Sequence, residues 1–145
     1  MKVVLDTNIL ISGMGRSSGP PGRIFDAWLS GRFDLVTSEP LIDELMAALA
    51  YPKVRRLLVA GGVSDDDLRE YIDILRIKAI LVTPTGIQLP KTPRDLDDIA
   101  VLEALLASEA EFLVTGDKKH LLSLGMPQIV TATEFAARLA SFDSL

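Results

Sequence analysis

Val3-Val4-Leu5-Asp6-Thr7-Asn8 is a short apolar run that ends abruptly in a carboxylate and two further polar side chains. A run of this length, partly β-branched, suits a strand buried on both faces, and such strands occur mostly in parallel sheets covered by helices. In those sheets ligands bind outside the carboxyl ends of the strands. Asp6 is therefore expected at a functional rim, together with whatever residues the rest of the chain delivers there.

Ile9, Leu10 and Ile11 run into a stretch rich in Gly, Ser and Pro from Gly13 to Gly22, which contains Arg16 and reads as a flexible polar loop. Ile24, Phe25, Trp28 and Leu29 recur at helical spacing before Gly31, and Phe33 to Thr37 is a second strand. Ser38 can cap the next helix, with Pro40 in its first turn and Leu41, Leu45, Ala48 and Leu49 as its buried stripe. Glu44 lies three residues after Leu41 and four before Ala48, so it projects from the stripe side. A carboxylate there needs a partner.

Lys53, Arg55 and Arg56 open a short basic helix that ends at Gly61-Gly62. Ser64 followed by Asp65, Asp66 and Asp67 is a helix start, because acids in a first turn meet the positive end of the helix dipole. That helix carries Leu68, Tyr71, Ile72 and Leu75, and Ile80 to Thr83 is a third strand. A Pro/Gly-containing loop then reaches Arg94-Asp95-Leu96-Asp97-Asp98 and a helix with Ile99, Leu102, Leu105 and Leu106. Phe112 to Thr115 is a fourth strand, stopped by Gly116-Asp117-Lys118-Lys119; a short helix over Leu121, Leu122 and Leu124 ends at Gly125. Ile129 to Thr131 is a fifth strand, and Thr131 and Glu134 have capping-box spacing for a last helix with Phe135 and Leu139. Strands alternating with helices predict an α/β fold with a mostly parallel sheet. No repeat or linker divides residues 1–145, so one domain is expected.

The chain has 145 residues, 48% of them hydrophobic, and a mean hydropathy of +0.30, ample for one core. With no cysteine and a single histidine, His120, neither a disulfide framework nor a thiolate or His-rich metal site is available. No signal-like N-terminus or bilayer-length apolar run is present, so a cytoplasmic location without membrane contact is expected. The net charge of −5 argues against broad attraction to nucleic acid, which would need a local basic patch or a metal.

Asp6, Glu44, Asp98 and Asp117 each sit where such a fold brings separate segments to one rim. Two carboxylates about 4 Å apart repel by roughly 4 kcal/mol at an effective dielectric near 20, and the pair raises its own pKa unless a cation intervenes. A cluster of this kind calls for a metal. All-oxygen ligation favours hard cations, Mg²⁺ or Mn²⁺, and an ion that keeps bound water beside a phosphodiester supplies a nucleophile for hydrolysis.

Leu5-Asp6-Thr7-Asn8, Glu44-Leu45, Asp97-Asp98 before Val101-Leu102-Glu103-Ala104, and Phe112-Leu113-Val114-Thr115-Gly116-Asp117, in this order, resemble the PIN-domain family, in particular its toxins of bacterial and archaeal toxin-antitoxin pairs (VapC-like). The resemblance implies a Rossmann-like α/β/α sandwich with a five-stranded parallel sheet and a metal-dependent endonuclease of single-stranded RNA. It implies Asp6, Glu44 and Asp98 as principal carboxylates and Asp117 as the fourth. Thr7 and Asn8 would orient Asp6, and Thr115 would support the site. It also implies a cognate antitoxin and a homodimer. For the third acid Asp98 is preferred because it shares a helix face with Val101, Leu102 and Leu105; Asp97 is the alternative and Asp95 a more distant one.

Competing readings differ in chemistry. An aspartyl-phosphate phosphatase would need an acid two residues after Asp6, where Asn8 stands; a receiver module would want adjacent acids where Leu5 precedes Asp6. An inactive PIN-like scaffold that binds RNA or protein remains open. Among the cations, Lys118, Lys119, Arg16, Arg23, Arg55, Arg56 and Arg94 read mainly as solvated surface, a few of which could track an RNA backbone. His120 reads as a surface or capping residue, and Asp65 to Asp67 as helix capping.

Overall fold

The computed structural model describes residues 1–89, 97–116 and 121–143. Five parallel strands, β1 (Lys2–Leu5), β2 (Asp34–Thr37), β3 (Ile80–Leu81), β4 (Phe112–Val114) and β5 (Ile129–Val130), lie in the order β3-β2-β1-β4-β5. The sheet is flanked by α1 (Thr7–Met14), α2 (Pro20–Leu29), α3 (Glu39–Leu49), α4 (Pro52–Ala60), α5 (Asp65–Lys78), α6 (Asp97–Ser108) and α7 (Ala132–Asp143). Every strand pairing is parallel.

Alternation along the strands divides the core in two, because successive side chains point to opposite faces. Val3, Leu5, Leu35, Val114 and Val130 face one layer, built from α1, α2, α7 and the inner sides of α3, α4 and α5. Val4, Val36, Leu113 and Ile129 face the other, where α6 contributes Val101, Leu102, Ala104 and Leu105. The result is the expected α/β/α sandwich. Trp28, fully buried, packs against Phe25, while Lys78 sits over its ring and donates to the carbonyls of Trp28 and Leu29 at the end of α2.

The loop read from Gly13 to Gly22 is shorter than expected at its start: Thr7–Met14 form α1, eight residues long, with Asp6 as its N-cap, so Gly13 and Met14 belong to a helix. Gly13 and Gly15 look like helix breakers, yet each admits a close neighbour. A Cβ at Gly13 would lie 2.6 Å from Phe25 Cβ, and one at Gly15 2.7 Å from Leu57 Cδ2. Burial of Ile9, Leu10, Ile11 and Met14 outweighs the helix penalty of about 1 kcal/mol for Gly13, while Gly15 caps the helix from outside it. The second helix likewise begins earlier than its apolar spacing indicates, at Pro20, with two prolines in the first turn where no amide partner is lost. Among the described residues, no helix is long and apolar enough to cross a membrane.

Candidate active site at the carboxyl edge of the sheet

Register brings the first site residues together. Leu5 of β1 pairs with Val114 of β4, and the Asp6 amide donates to Val114 O at 2.9 Å, so the next residues along each strand, Asp6 and Thr115, stand side by side. Thr115, fully buried, donates its hydroxyl to Asp6 Oδ2 at 2.8 Å, and the Thr7 amide donates to Asp6 Oδ1 at 2.8 Å. Both carboxylate oxygens are thus fixed by neutral donors. Asp6 also sits at the N-terminus of α1, where the helix dipole favours negative charge. Its carboxylate is half-buried and oriented by those two bonds.

On the other flank, Val4 pairs with Val36, and continuing that register sets Ser38 beside Asp6. Ser38 is fully buried and caps α3 by accepting the Leu41 amide at 3.4 Å. Sequence reasoning assigned Ser38 only this capping role; its place in the row Ser38, Asp6, Thr115 follows from strand order alone. Glu44 lies on α3, half-buried, between Leu41 of one core layer and Ala48 of the other.

Asp98 reaches the same edge by topology. After α6, the Glu111 amide donates to Lys2 O, and Lys2 Nζ donates to Ser108 O, so the end of α6 lies at the amino edge of β1. A 12-residue helix spans about 18 Å, and α6, packed against β1, β2 and β4, begins toward the carboxyl edge. Asp98, its second residue, is 8% exposed, which agrees with the face it shares with Val101 and Leu102. The side chain of Asp97 lies outside the described set, as do Arg94, Asp95, Asp117, Lys118, Lys119 and His120. Asp6, Glu44, Asp98 and Thr115 all take part in further polar interactions.

The donor set is all oxygen and suits Mg²⁺ or Mn²⁺ in chemistry. Among the described residues, however, no three His, Cys, Asp or Glu side chains form a group able to hold a metal. Asp6, Glu44 and Asp98 therefore do not close a ligand shell on their own. Asn8, expected to help orient Asp6, is exposed, and the Thr7 amide and Thr115 hydroxyl bond the carboxylate.

Comparison with known proteins agrees with this architecture. The family model described as PIN domain matches residues 2–119. An uncharacterized protein of Methanocaldococcus jannaschii is 30% identical over 124 residues, covering 86% of this chain and 75% of the relative. The crystal structure of VapBC2 from Rickettsia felis bound to a DNA fragment from their promoter contains a chain of similar fold, with TM-score 0.54 and 14% identity over 90% of this chain and 97% of that one.

Proposed function

Because the chain belongs to the PIN-domain family, whose members are generally nucleases that use divalent metal ions, we propose that it is a metal-dependent endoribonuclease acting on single-stranded RNA, the toxin of a toxin-antitoxin pair. The observation that carries this reading is the Asp6 carboxylate, fixed at the carboxyl edge between the Thr7 amide and the Thr115 hydroxyl. Asp6 and Asp98 would hold Mg²⁺ or Mn²⁺, with Glu44 and Asp117 as further ligands and water completing the shell, as Mg²⁺ prefers. When bound, such an ion lowers the pKa of water and neutralises phosphate charge.

The chain's own residues supply placement. Thr115 keeps one Asp6 oxygen from rotating away, the Thr7 amide fixes the other, and burial of Asp98 raises the cost of leaving its charge uncompensated. Asp6→Asn removes the ligand charge while keeping size and the capping oxygen. It should lower RNA cleavage in Mg²⁺ by roughly 10²–10³-fold, since a catalytic ion contributes several kcal/mol and each 1.4 kcal/mol is tenfold. Equal cleavage by both proteins overturns the assignment; RNA binding by the unaltered chain with no cleavage in either metal would make it a binding scaffold.

A cognate antitoxin and a homodimer, in the cytoplasm, belong to the same proposal, supported by family membership and by the likeness of fold to the VapBC2 chain. Co-expression with the product of the adjoining small gene should yield a stable complex and relieve growth arrest. Absence of both effects would leave a nuclease without that partner.

A further inference from the structure

In this acidic chain most described cations are committed to structure. Arg16 pairs with Asp67, Arg55 with Asp65, Arg69 with Asp66 and Arg76 with Glu39. Lys2, Arg32 and Lys78 donate to backbone carbonyls, and Arg138 lies over the Phe112 ring. Among the described residues Arg23, Lys53 and Arg56 form no ion pair, and two of these three are on α4.

α4 is an unusual helix for this protein. Its sequence, Pro52-Lys53-Val54-Arg55-Arg56-Leu57-Leu58-Val59-Ala60, contains no acid, and Leu58 is its one buried residue. Val54 and Leu58, four apart, take the inner side; Lys53 and Arg56, three apart, share an outer one. Tyr51, which immediately precedes the helix, is 63% exposed, and Leu57 and Val59 are also exposed. The neighbouring groove of about 420 Å³, floored by Met46, Leu49, Leu68 and Ile72, has arginines already paired with Asp65 and Asp66, so it offers little free charge to a polyanion. Among the described residues, two of the three cations without an ion pair, Lys53 and Arg56, are on the outer face of α4.

α4 is also linked to the carboxyl edge through α1. α1 starts at Asp6 and is about 12 Å long. At its far end the Gly15 carbonyl abuts Gly61 so closely that a Cβ on Gly61 would overlap it. Arg56 is five residues back along α4 from that junction, about 7.5 Å. Together these helical segments connect Arg56 to Asp6 over no more than about 25 Å.

We infer that Tyr51, Lys53 and Arg56 form a binding face for the single-stranded RNA substrate, with the cations on successive phosphates and the tyrosine ring stacking on a base. Cations on one face with an adjacent aromatic ring are what sequence-tolerant single-strand binding uses. The inference rests on the ribonuclease reading above and goes beyond it by naming where the strand lies outside the carboxylate site.

The test is anisotropy of an end-labelled oligouridylate with the full-length Asp6→Asn chain in divalent-free buffer. Adding Lys53→Ala and Arg56→Ala should weaken binding about tenfold or more at low salt and flatten the log–log salt slope by about 1.4, at 0.7 per phosphate contact on a single strand. Tyr51→Ala should weaken it about fivefold or more with the slope unchanged, and Tyr51→Phe should restore it. Arg23→Ala should change nothing. All these side chains are exposed, and circular dichroism checks that each variant is folded.

Unchanged affinity and slope in the Lys53/Arg56 variant overturn the inference, as does an equal loss from Arg23→Ala. Loss of polyglutamate binding with RNA binding intact would assign the face to an acidic protein and also overturn it. Cleavage by the unaltered chain reports separately on the nuclease. Cleavage with RNA binding indifferent to α4 overturns only this inference, and α4-dependent binding without cleavage overturns only the nuclease.

Discussion

The chain contains two kinds of acidic region, the contiguous Asp65-Asp66-Asp67 run and the dispersed set Asp6, Glu44 and Asp98, and the fold treats them in opposite ways. In the run, Asp67 and Ser64 exchange bonds in a capping box, and each aspartate faces an arginine, Arg55, Arg69 or Arg16. These groups are largely exposed, where such pairs contribute little. Asp6, by contrast, is gripped by a neutral amide and a buried hydroxyl at a strand end, and Asp98 is buried at the start of α6. Acids adjacent in sequence begin a helix and pair with arginines, whereas Asp6 at a strand end is held by neutral donors from a different strand and from its own helix.

The sharpest challenge to that contrast exchanges one acid in each region. Asp6→Asn should lose roughly 10²–10³-fold in Mg²⁺-supported cleavage, while Asp66→Asn in the same assay should retain full activity. Similar losses in both would erase the distinction. Thr115→Val comes next: it keeps the shape of a buried residue but deletes the donor to Asp6 Oδ2, and cleavage should fall about 10–100-fold, the usual cost of removing the group that orients a metal ligand. Near-UV circular dichroism should be unchanged, and wild-type activity in that variant would show that the hydroxyl does not position the carboxylate.

On the structural side, Ser64→Ala removes the cap of α5 and should lower stability by about 1 kcal/mol in urea unfolding, with activity per folded molecule intact. The smallest effect is on pH dependence. The Ser64 amide and hydroxyl, with Arg16 beside them, hold the Asp67 carboxyl below its ordinary value of 3.8. A depressed folded-state pKa gives a contribution that is complete above the unfolded value and is lost as pH falls through the folded one. The stability difference between the native chain and Asp67→Asn should therefore be constant from neutral pH down to about pH 4 and shrink below it. A difference that grows with acidification would contradict the assigned cause.

Much of this was legible in the sequence because it depends on near neighbours. Ser38 and Ser64 cap the helices expected of them, and Gly125 ends the 3-10 turn over Leu122–Leu124 with a left-handed φ of 68°. Each case involves a few consecutive residues. The end of α1 was not legible, since Gly13 has low helix propensity and only its close approach to Phe25 explains it. Nor was the role of Thr115 fixed by its neighbours: its bond to Asp6 spans 109 residues and exists only because β4 lies beside β1.

The sequence by itself determined the alternation of strands and helices and the placement of Asp6 just past a buried strand, because apolar periodicity and capping act over a few residues. Tertiary structure alone decided strand order. It thereby decided that Thr115 holds Asp6, that Ser38 stands in the same row, and that α6 buries Asp98 at its start, because those contacts depend on which distant strands pair and not on any local preference of the chain.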